Sequence, residues 1–324
     1  MYLHRRPMLV EDVPACVELM TTHPVARLRY GEHLNRLAAV WQSLLQGRLL
    51  SATVVEGVLP GGRRTLKAFS VSTFVTDEFV HECKSPVTWM GPALMQALCG
   101  DASPILTPKA VRDANSREGL NLMSWAATLR KEVTDRTGVL MQIVKSVVDD
   151  HRGYRVKEAL SQPLEPGVLD LALNSGALLW NPGAGRYEKA AAVDSESVIH
   201  HPFIIGADRQ TATQYMSSVS ALFHYTLPRI FFKPSEQNLL AAALRGARDE
   251  DLSRELQVSL SCIKKTWSAV YRRAAAVVPE LQLLPGSASQ RGPEKRRILL
   301  SYVREHPEEL RPVAHVPGLK AARY

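Results

Sequence analysis

At 324 residues, 45% hydrophobic and 22% charged, the chain carries enough apolar material for two ordinary globular cores and too much for intrinsic disorder. Its net charge of +8 is unevenly placed: from Phe231 onward 16 Lys and Arg stand against 10 Asp and Glu, and before it 24 against 22, so an anionic partner is expected at the C-terminal end. No apolar run approaches the ~20 residues of a membrane span, and Glu11 and Asp12 follow Arg5 and Arg6 too soon for a signal-peptide core, so a cytoplasmic protein with no membrane partner is expected.

In chain order, residues 3 to 21 read as a short strand and then a helix from near Glu11, with Val13, Cys16, Val17 and Met20 on one side. A helix from Gly31 to Gln46 carries Leu34, Leu37, Trp41, Leu44 and Leu45 as its apolar stripe. A hairpin follows, Ala52 to Val58 and Thr65 to Val75, joined by the turn Pro60-Gly61-Gly62. Pro92 to Leu98 reads as helix, Pro104 to Leu106 opens a new segment, Leu120 to Leu129 fits strand or helix, and Val139 to Val148 is amphipathic. Between Asn181 and Arg209 periodicity is lost, as expected of final strands and loops; Thr211 to His224 reads as a helix, and a linker is expected over 225–233.

Chemistry-bearing groups are sparse. Cys16, Cys83, Cys99 and Cys262 have no CxxC spacing and no His partners, so they are read as small buried hydrophobes, and no metal site is expected. Asp149, Asp150 and His151 are read as a solvated helix end, and His200-His201 as a structural pair. GxSxG, HExxH and GxxxxGK[ST] are all missing, and no catalytic residue is assigned.

The stretch Asp150-His151-Arg152-Gly153-Tyr154-Arg155-Val156-Lys157-Glu158-Ala159-Leu160 reads as an Arg-Gly turn leading into a helix. A second helix over Pro166 to Leu173 and the segment Ser175 to Trp180 come next. With the opening Arg6-Pro7 through Glu11-Asp12-Val13, this order resembles the GNAT acetyltransferase fold. The resemblance implies a mixed sheet and an acyl-CoA-like ligand near Arg152, Gly153, Tyr154 and Arg155. Arg155 and Lys157 stand where that family's phosphate loop has small residues, and long side chains there crowd the approach of backbone N–H groups to a pyrophosphate. A degenerate domain with no cofactor is therefore expected, one that senses a small-molecule or acyl-CoA-like effector or only holds a partner in a dimer, with acyltransferase activity as the alternative.

The most informative stretch is Pro234 to Ala274. Pro234 opens a helix with Leu239, Leu240, Ala243 and Leu244 on one side, and Gly246 supplies its left-handed stop. Asp249, Glu250 and Asp251 open a second helix carrying Leu252 and Leu256; a turn through Gln257 and Val258 leads to Ser259, placed to cap a third. In that third helix Ile263, Trp267, Val270 and Ala274 make the buried stripe, while Ser261, Lys264, Lys265, Ser268 and Arg272 form a donor-rich face suited to phosphates and guanine edges. Two short helices about a tight turn, the second with a basic face, make a helix-turn-helix.

This order, through Leu-x-x-x-Leu-x-Val-Ser and Ile-Lys-x-x-Trp-x-x-Val-Tyr-Arg-Arg, resembles the LuxR-type (GerE) DNA-binding domain of bacterial transcription regulators over roughly forty residues. The resemblance implies double-stranded DNA as partner, Lys264, Lys265 and Ser268 on base edges or nearby phosphates, Ser259, Ser261 and Arg272 mainly on the backbone, and a homodimer. Two positions depart from the family pattern: Lys233 stands at the usual threonine cap, so the first helix lacks its capping box, and Gln257 replaces the turn glycine and strains the turn. Ala274 to Leu284 is read as a fourth helical element whose Val277, Val278 and Leu281 are exposed unless paired, and the LuxR-type resemblance implies that this helix can form a dimer seam. Leu284 to Pro293 is read as a break, and Glu294 to Leu310 as a terminal helix packing on the first domain through Ile298, Leu299, Tyr302 and Val303.

The expected architecture is an α/β (α+β) N-terminal domain with a mixed, GNAT-like sheet over 1–224, followed by an all-α helix-turn-helix domain over 234–284 and a C-terminal helix and tail over 285–324. A third reading, in which the C-terminal helices bind only protein, predicts no salt-dependent association with DNA.

Overall fold

The computed structural model describes residues 2–100, 103–189, 193–215, 219–281 and 292–314. One eight-stranded mixed sheet, in the order β1-β2-β3-β4-β5-β8-β6-β7, organises the first two thirds of the chain. Its strands are β1 (Tyr2–Pro7), β2 (Ser51–Val58), β3 (Arg64–Val75), β4 (Leu120–Leu129), β5 (Val156–Ser161), β6 (Leu178–Asn181), β7 (Arg186–Glu188) and β8 (Ile205–Asp208). Between β1 and β2 lie α1 (Val13–Thr21), α2 (Pro24–Tyr30) and α3 (Leu34–Gln46), and between β3 and β4 lie α4 (Asp77–Lys84), α5 (Met90–Ala97) and α6 (Pro108–Ser116). Helix α7 (Arg136–His151) joins β4 to β5, α8 (Pro166–Asn174) precedes β6, and α9 (Ser195–Val198) precedes β8. Among the described residues no strand follows β8: α10 (Arg209–Tyr215), α11 (Pro234–Leu244), α12 (Asp249–Glu255), α13 (Leu260–Val277) and α14 (Gly292–Glu305) complete the chain.

The central strands are covered on both faces, which is why β2 reads as the unbroken run Ala-Thr-Val-Val rather than as an alternation. On one face Trp41 of α3 meets Phe69 of β3 and Trp125 of β4 edge-on, both at 5.8 Å between ring centroids. On the other, Val139, Leu140 and Ile143 of α7 pack on Val55, Ala68 and Leu129. Trp125 reaches its pocket through a bulge: Val71 pairs with Ala126 and Ser72 with Ser124, leaving Trp125 as the extra residue. Strands β4 and β5 run parallel and pair only as far as Ser124 and Ser161, so they part at that bulge.

Several expectations change in three dimensions. The stretch after Gly153 is no helix: Val156–Ser161 is β5, held between β4 and β8, because pairing on both edges outweighs the helix preference of Glu158, Ala159 and Leu160. Helix α13 runs unbroken past Ala274 to Val277 and ends in a short 3-10 turn, Pro279–Leu281; the expected element's last residues, 282–284, fall outside the described residues, as does most of the expected break. The Thr211–His224 helix is α10 followed by a 3-10 turn at Ser220–Leu222, with residues 216–218 outside the described set.

The Asp149–His151 group is no solvated cap. His151 is buried, its Nδ1 2.8 Å from the Val147 carbonyl and its Nε2 3.4 Å from Ser72 Oγ. Asp149 pairs with Arg5 at 2.8 Å, and Asp150 accepts from Ser51 and Thr53 at 3.1 and 3.3 Å. Cys16 and Cys83 are buried, but Cys99 and Cys262 are exposed, and so are both His200 and His201, which leaves no buried structural pair there.

Candidate nucleic-acid interface

Helices α11 to α14 share one apolar cluster. Leu239, Leu240 and Ala243 of α11, Leu252 of α12, Ile263, Trp267, Val270 and Ala274 of α13, and Leu299, Tyr302 and Val303 of α14 are all buried in it. The apolar stripe read in α13 is thus its packed side, and the polar stripe must face away. Ser259, Ser261, Lys264, Lys265, Ser268 and Arg272 are all exposed. Among the described residues neither Lys264 nor Lys265 has an anionic partner, nor does Arg272. Its neighbour Arg273 is engaged, donating to the buried Glu236 of α11 at 3.0 Å.

Local signals set this helix in place. Ser259 Oγ accepts from the Cys262 N–H at 3.2 Å and lies 2.9 Å from Ser261 Oγ. Ser268 Oγ donates to the Lys264 carbonyl at 3.0 Å, so its hydroxyl offers lone pairs outward rather than the donor expected from sequence. The preceding turn is a Schellman motif in which the Val258 N–H reaches the Ser253 carbonyl at 3.1 Å and the Gln257 N–H the Arg254 carbonyl at 3.3 Å. Gln257 takes φ +55°, the left-handed conformation that its glycine-like position demands. Gln257→Gly is therefore expected to stabilise the protein by about 0.5 kcal/mol, left-handed strain of ~1–2 kcal/mol relieved against ~0.4–1 kcal/mol of added unfolded-chain entropy. A lower urea midpoint for the variant would show that the turn carries no strain.

At the α11 start half a capping box survives: Glu236 Oε2 accepts from the Lys233 N–H at 2.7 Å. The reciprocal half is missing because an ammonium has no lone pair to accept the N–H of the third residue. At the far end Arg296 of α14 lies over Trp267 at 4.7 Å and donates to Asp249 at 2.9 Å and to the Ala247 carbonyl at 2.6 Å, tying α14 to the start of α12. Val278 is buried in the same cluster, with Val277 and Leu281 half-buried beside it, so of these three Val278 is fully covered within the chain.

Arg152, Gly153, Tyr154 and Arg155 form the turn between α7 and β5, and the C-terminal segment covers them. Arg152 donates to the Arg304 carbonyl at 2.8 Å and accepts from Arg311 at 2.9 Å, and the Arg311 guanidinium sits 4.5 Å over Tyr154. Gly153, at φ +86°, lies so close to the 3-10 turn Pro307–Leu310 that a Cβ would stand 2.6 Å from the Glu308 nitrogen. Arg155 lies 5.6 Å over Tyr225. These residues hold the end of α14 and the 3-10 turn after it. Ile298, Leu299, Tyr302 and Val303, expected to pack on the first domain, lie among α11 to α13 instead. The α7–β5 turn leads into a strand rather than a helix N-terminus that could receive a phosphate.

At the start of α7, which follows β4 beyond its parting from β5, Asp135 caps by accepting from the Gly138 N–H at 2.8 Å. Beside it the buried Glu165 pairs with Arg136 and accepts from the Leu129 N–H at 3.4 Å. The gap itself is filled. Tyr30, fully buried, points its hydroxyl at the Trp125 carbonyl, and Gln162 accepts from Met90 N at 2.7 Å while donating to Thr88 and Phe203 carbonyls. Arg29, pulled down to about 10 by burial, donates to the Ile199 carbonyl at 2.6 Å and stacks on Trp89 at 4.0 Å.

Sequence patterns missed one feature entirely. Between the sheet and the helical region lies an open cleft of about 1450 Å³, walled by Arg48 and Arg112 on the sheet side, by Arg229, Phe231 and Lys233 on the connector, and by Arg245 and Arg272 on the helices. The contributing residues lie up to 224 positions apart, and no local window joins them.

Among the described residues no helix is long and apolar enough to cross a membrane, and no three His, Cys, Asp or Glu side chains converge to hold a metal ion. No family model matches the chain, and no curated protein does. Among solved structures it is similar to a crystal structure of a tyrosine-to-phenylalanine mutant of KacT, at 8% identity and a TM-score of 0.32, over 66% of this chain and 99% of that one.

Proposed function

We propose that the protein is a DNA-binding transcription regulator in which α13 enters the major groove and the sheet-bearing part, GNAT-like in outline, acts as a scaffold or sensor without catalysing a reaction. The observation that carries this reading is the outer face of α13: five polar or cationic side chains at helical spacing, together with the Ser259 cap, are all exposed, and the three cations among them are free of anionic partners among the described residues. On a merely solvated helix, neighbouring carboxylates would ordinarily offset such charge. Here the acids cluster instead at the start of α12, and Glu236 serves Arg273 on the packed side. The fit of α11 to α13 around Trp267, with the turn at Gln257, agrees with the LuxR-type resemblance over the same residues.

The acyltransferase alternative finds less support. Where a GNAT-like sheet parts, Tyr30 and Gln162 occupy the opening. Asp135 places a carboxylate at the α7 N-terminus, where it competes with an incoming phosphate.

Anisotropy with a labelled random-sequence duplex across a potassium chloride series tests the reading. Lys264→Gln with Lys265→Gln is expected to weaken binding ten- to a hundredfold at low salt and to flatten the slope of log K against log salt by about 1.8, at roughly 0.9 for each phosphate left without its lysine. Unchanged affinity and slope would show that another face, or no face, meets DNA.

A further inference from the structure

The basic stripe of α13 does not stop at the exposed end of the helix. Ser261, Lys265, Ser268 and Arg272 follow one another at intervals of four, three and four residues, and Arg272 at the end of that series lines the cleft. Across the cleft stand Arg48, in the turn between α3 and β2, and Arg112 on α6, both without an anionic partner among the described residues. Arg229 and Lys233 on the connector are likewise unpaired there.

The acids of the cleft offset these charges only in part: Asp149 is held by Arg5 at 2.8 Å and Glu236 is shared between Arg273 and the Lys233 N–H, while Asp150, which accepts from the Ser51 and Thr53 hydroxyls, keeps its charge. The wall therefore presents a net positive surface, Arg48, Arg112, Arg229, Lys233 and Arg272 outnumbering the free carboxylate of Asp150, and a cleft with an excess of one sign of charge concentrates the opposite sign within it.

The spacing of these cations selects the kind of anion. These five cations come from four separate segments around about 1450 Å³ rather than converging on one point. Small-molecule pockets measure roughly 300–1,000 Å³ and place a few polar groups on a single ligand. A nucleic-acid strand instead carries a charge about every 3.4 Å and is held by cations strung along its path.

We infer that the cleft receives the sugar-phosphate backbone of one strand of the DNA that α13 reads, so that the sheet-bearing body is the second jaw of the grip, with Arg48 and Arg112 as its phosphate contacts. This rests on the reading of α13 given above, and it adds a role for the body that a helix-turn-helix alone does not require. Contact from both jaws also ties DNA affinity to how the helical region sits on the sheet.

The test uses the full chain, the same random-sequence duplex and the same salt series. Arg48→Gln with Arg112→Gln is expected to lower affinity about tenfold at low salt and to reduce the salt slope by about 1.8, whereas Arg48→Lys with Arg112→Lys, which keeps both charges, should stay near the parent protein. Thermal melting curves that overlay with the parent's confirm that these surface changes leave the fold intact. A parental slope in the glutamine pair, alongside weakened binding by Lys264→Gln with Lys265→Gln, would overturn the second jaw and leave the reading of α13 standing. Parental behaviour in both pairs would overturn both.

Discussion

Between pH 6.5 and pH 4 the protein is expected to lose about 3 kcal/mol of stability through His151 alone, at ~1.4 kcal/mol per pH unit. Burial holds this imidazole neutral, pulling it from its ordinary 6.5 to about 4, and the neighbouring Asp150 only partly opposes that. Its hydrogen bonds fix the tautomer: Nδ1 faces the Val147 carbonyl and carries the proton, a bond that partly opposes the depression, so Nε2 is the bare nitrogen, 3.4 Å from Ser72 Oγ, whose own proton goes to the Ser51 carbonyl. Protonation would put a second N–H and a full charge among Phe74, Ser72 and the end of α7, with Arg311 nearby adding repulsion. In the unfolded chain the ring takes up its proton near 6.5, whereas in the folded one it does so near 4. The unfolded state therefore binds more protons through this window, and stability, complete above it, drains away as pH falls. Urea unfolding of the parent and of His151→Gln at about pH 7, 6, 5 and 4.5 separates this contribution from that of His23, which burial also depresses. If both proteins lose the same stability over that range, His151 is not the group responsible. The carboxylates beside Arg6, Asp12 and Glu56, are held below their ordinary values by that guanidinium and add acid sensitivity that begins at the low end of this window and grows below it.

Gly153→Ala is expected to cost more than about 3 kcal/mol and to loosen the helical region from the sheet. Two terms add: an alanine at φ +86° pays ~1–2 kcal/mol of backbone strain, and its Cβ would stand 2.6 Å from the Glu308 nitrogen and 2.7 Å from the Pro307 carbonyl carbon. Both are main-chain atoms that cannot rotate away, so the 3-10 turn must lift, taking with it the contacts of Arg311 with Arg152 and Tyr154. Gly246→Ala is the matched control. Its φ is +89° and a Cβ there meets nothing within 4 Å, so only the strain of ~1–2 kcal/mol applies. Calorimetry should show the Gly153 variant melting well below the Gly246 variant, with the helical region separating as an earlier transition. Equal losses in the two would mean that the turn yields freely and that the helical region is not seated there. On the two-jaw inference the Gly153 variant also binds DNA more weakly, although it touches neither jaw.

What sequence alone conveyed was the material with a local cause. The stripe of Ile263, Trp267, Val270 and Ala274 settles which side of α13 is packed, because a 3.6-residue period leaves one choice, and the exposure of Lys264 and Lys265 follows from it. The strain at Gln257 was legible for the same reason, since a turn of that length needs a left-handed residue wherever it occurs. The hairpin of β2 and β3 was marked by its Pro-Gly-Gly turn. Tertiary structure decided the rest. Val156–Ser161 became a strand because β4 and β8 bond it on both edges, although its own composition suits a helix. Arg152 and Gly153 became the seat of a helix more than 150 residues later rather than a phosphate loop, and Val278 turned inward because α14 was there to meet it. The cleft belongs wholly to this second kind: Arg48, Arg112 and Arg272 acquire a common field only when the helical region docks beside the sheet, and charge at long sequence separation leaves no period to read.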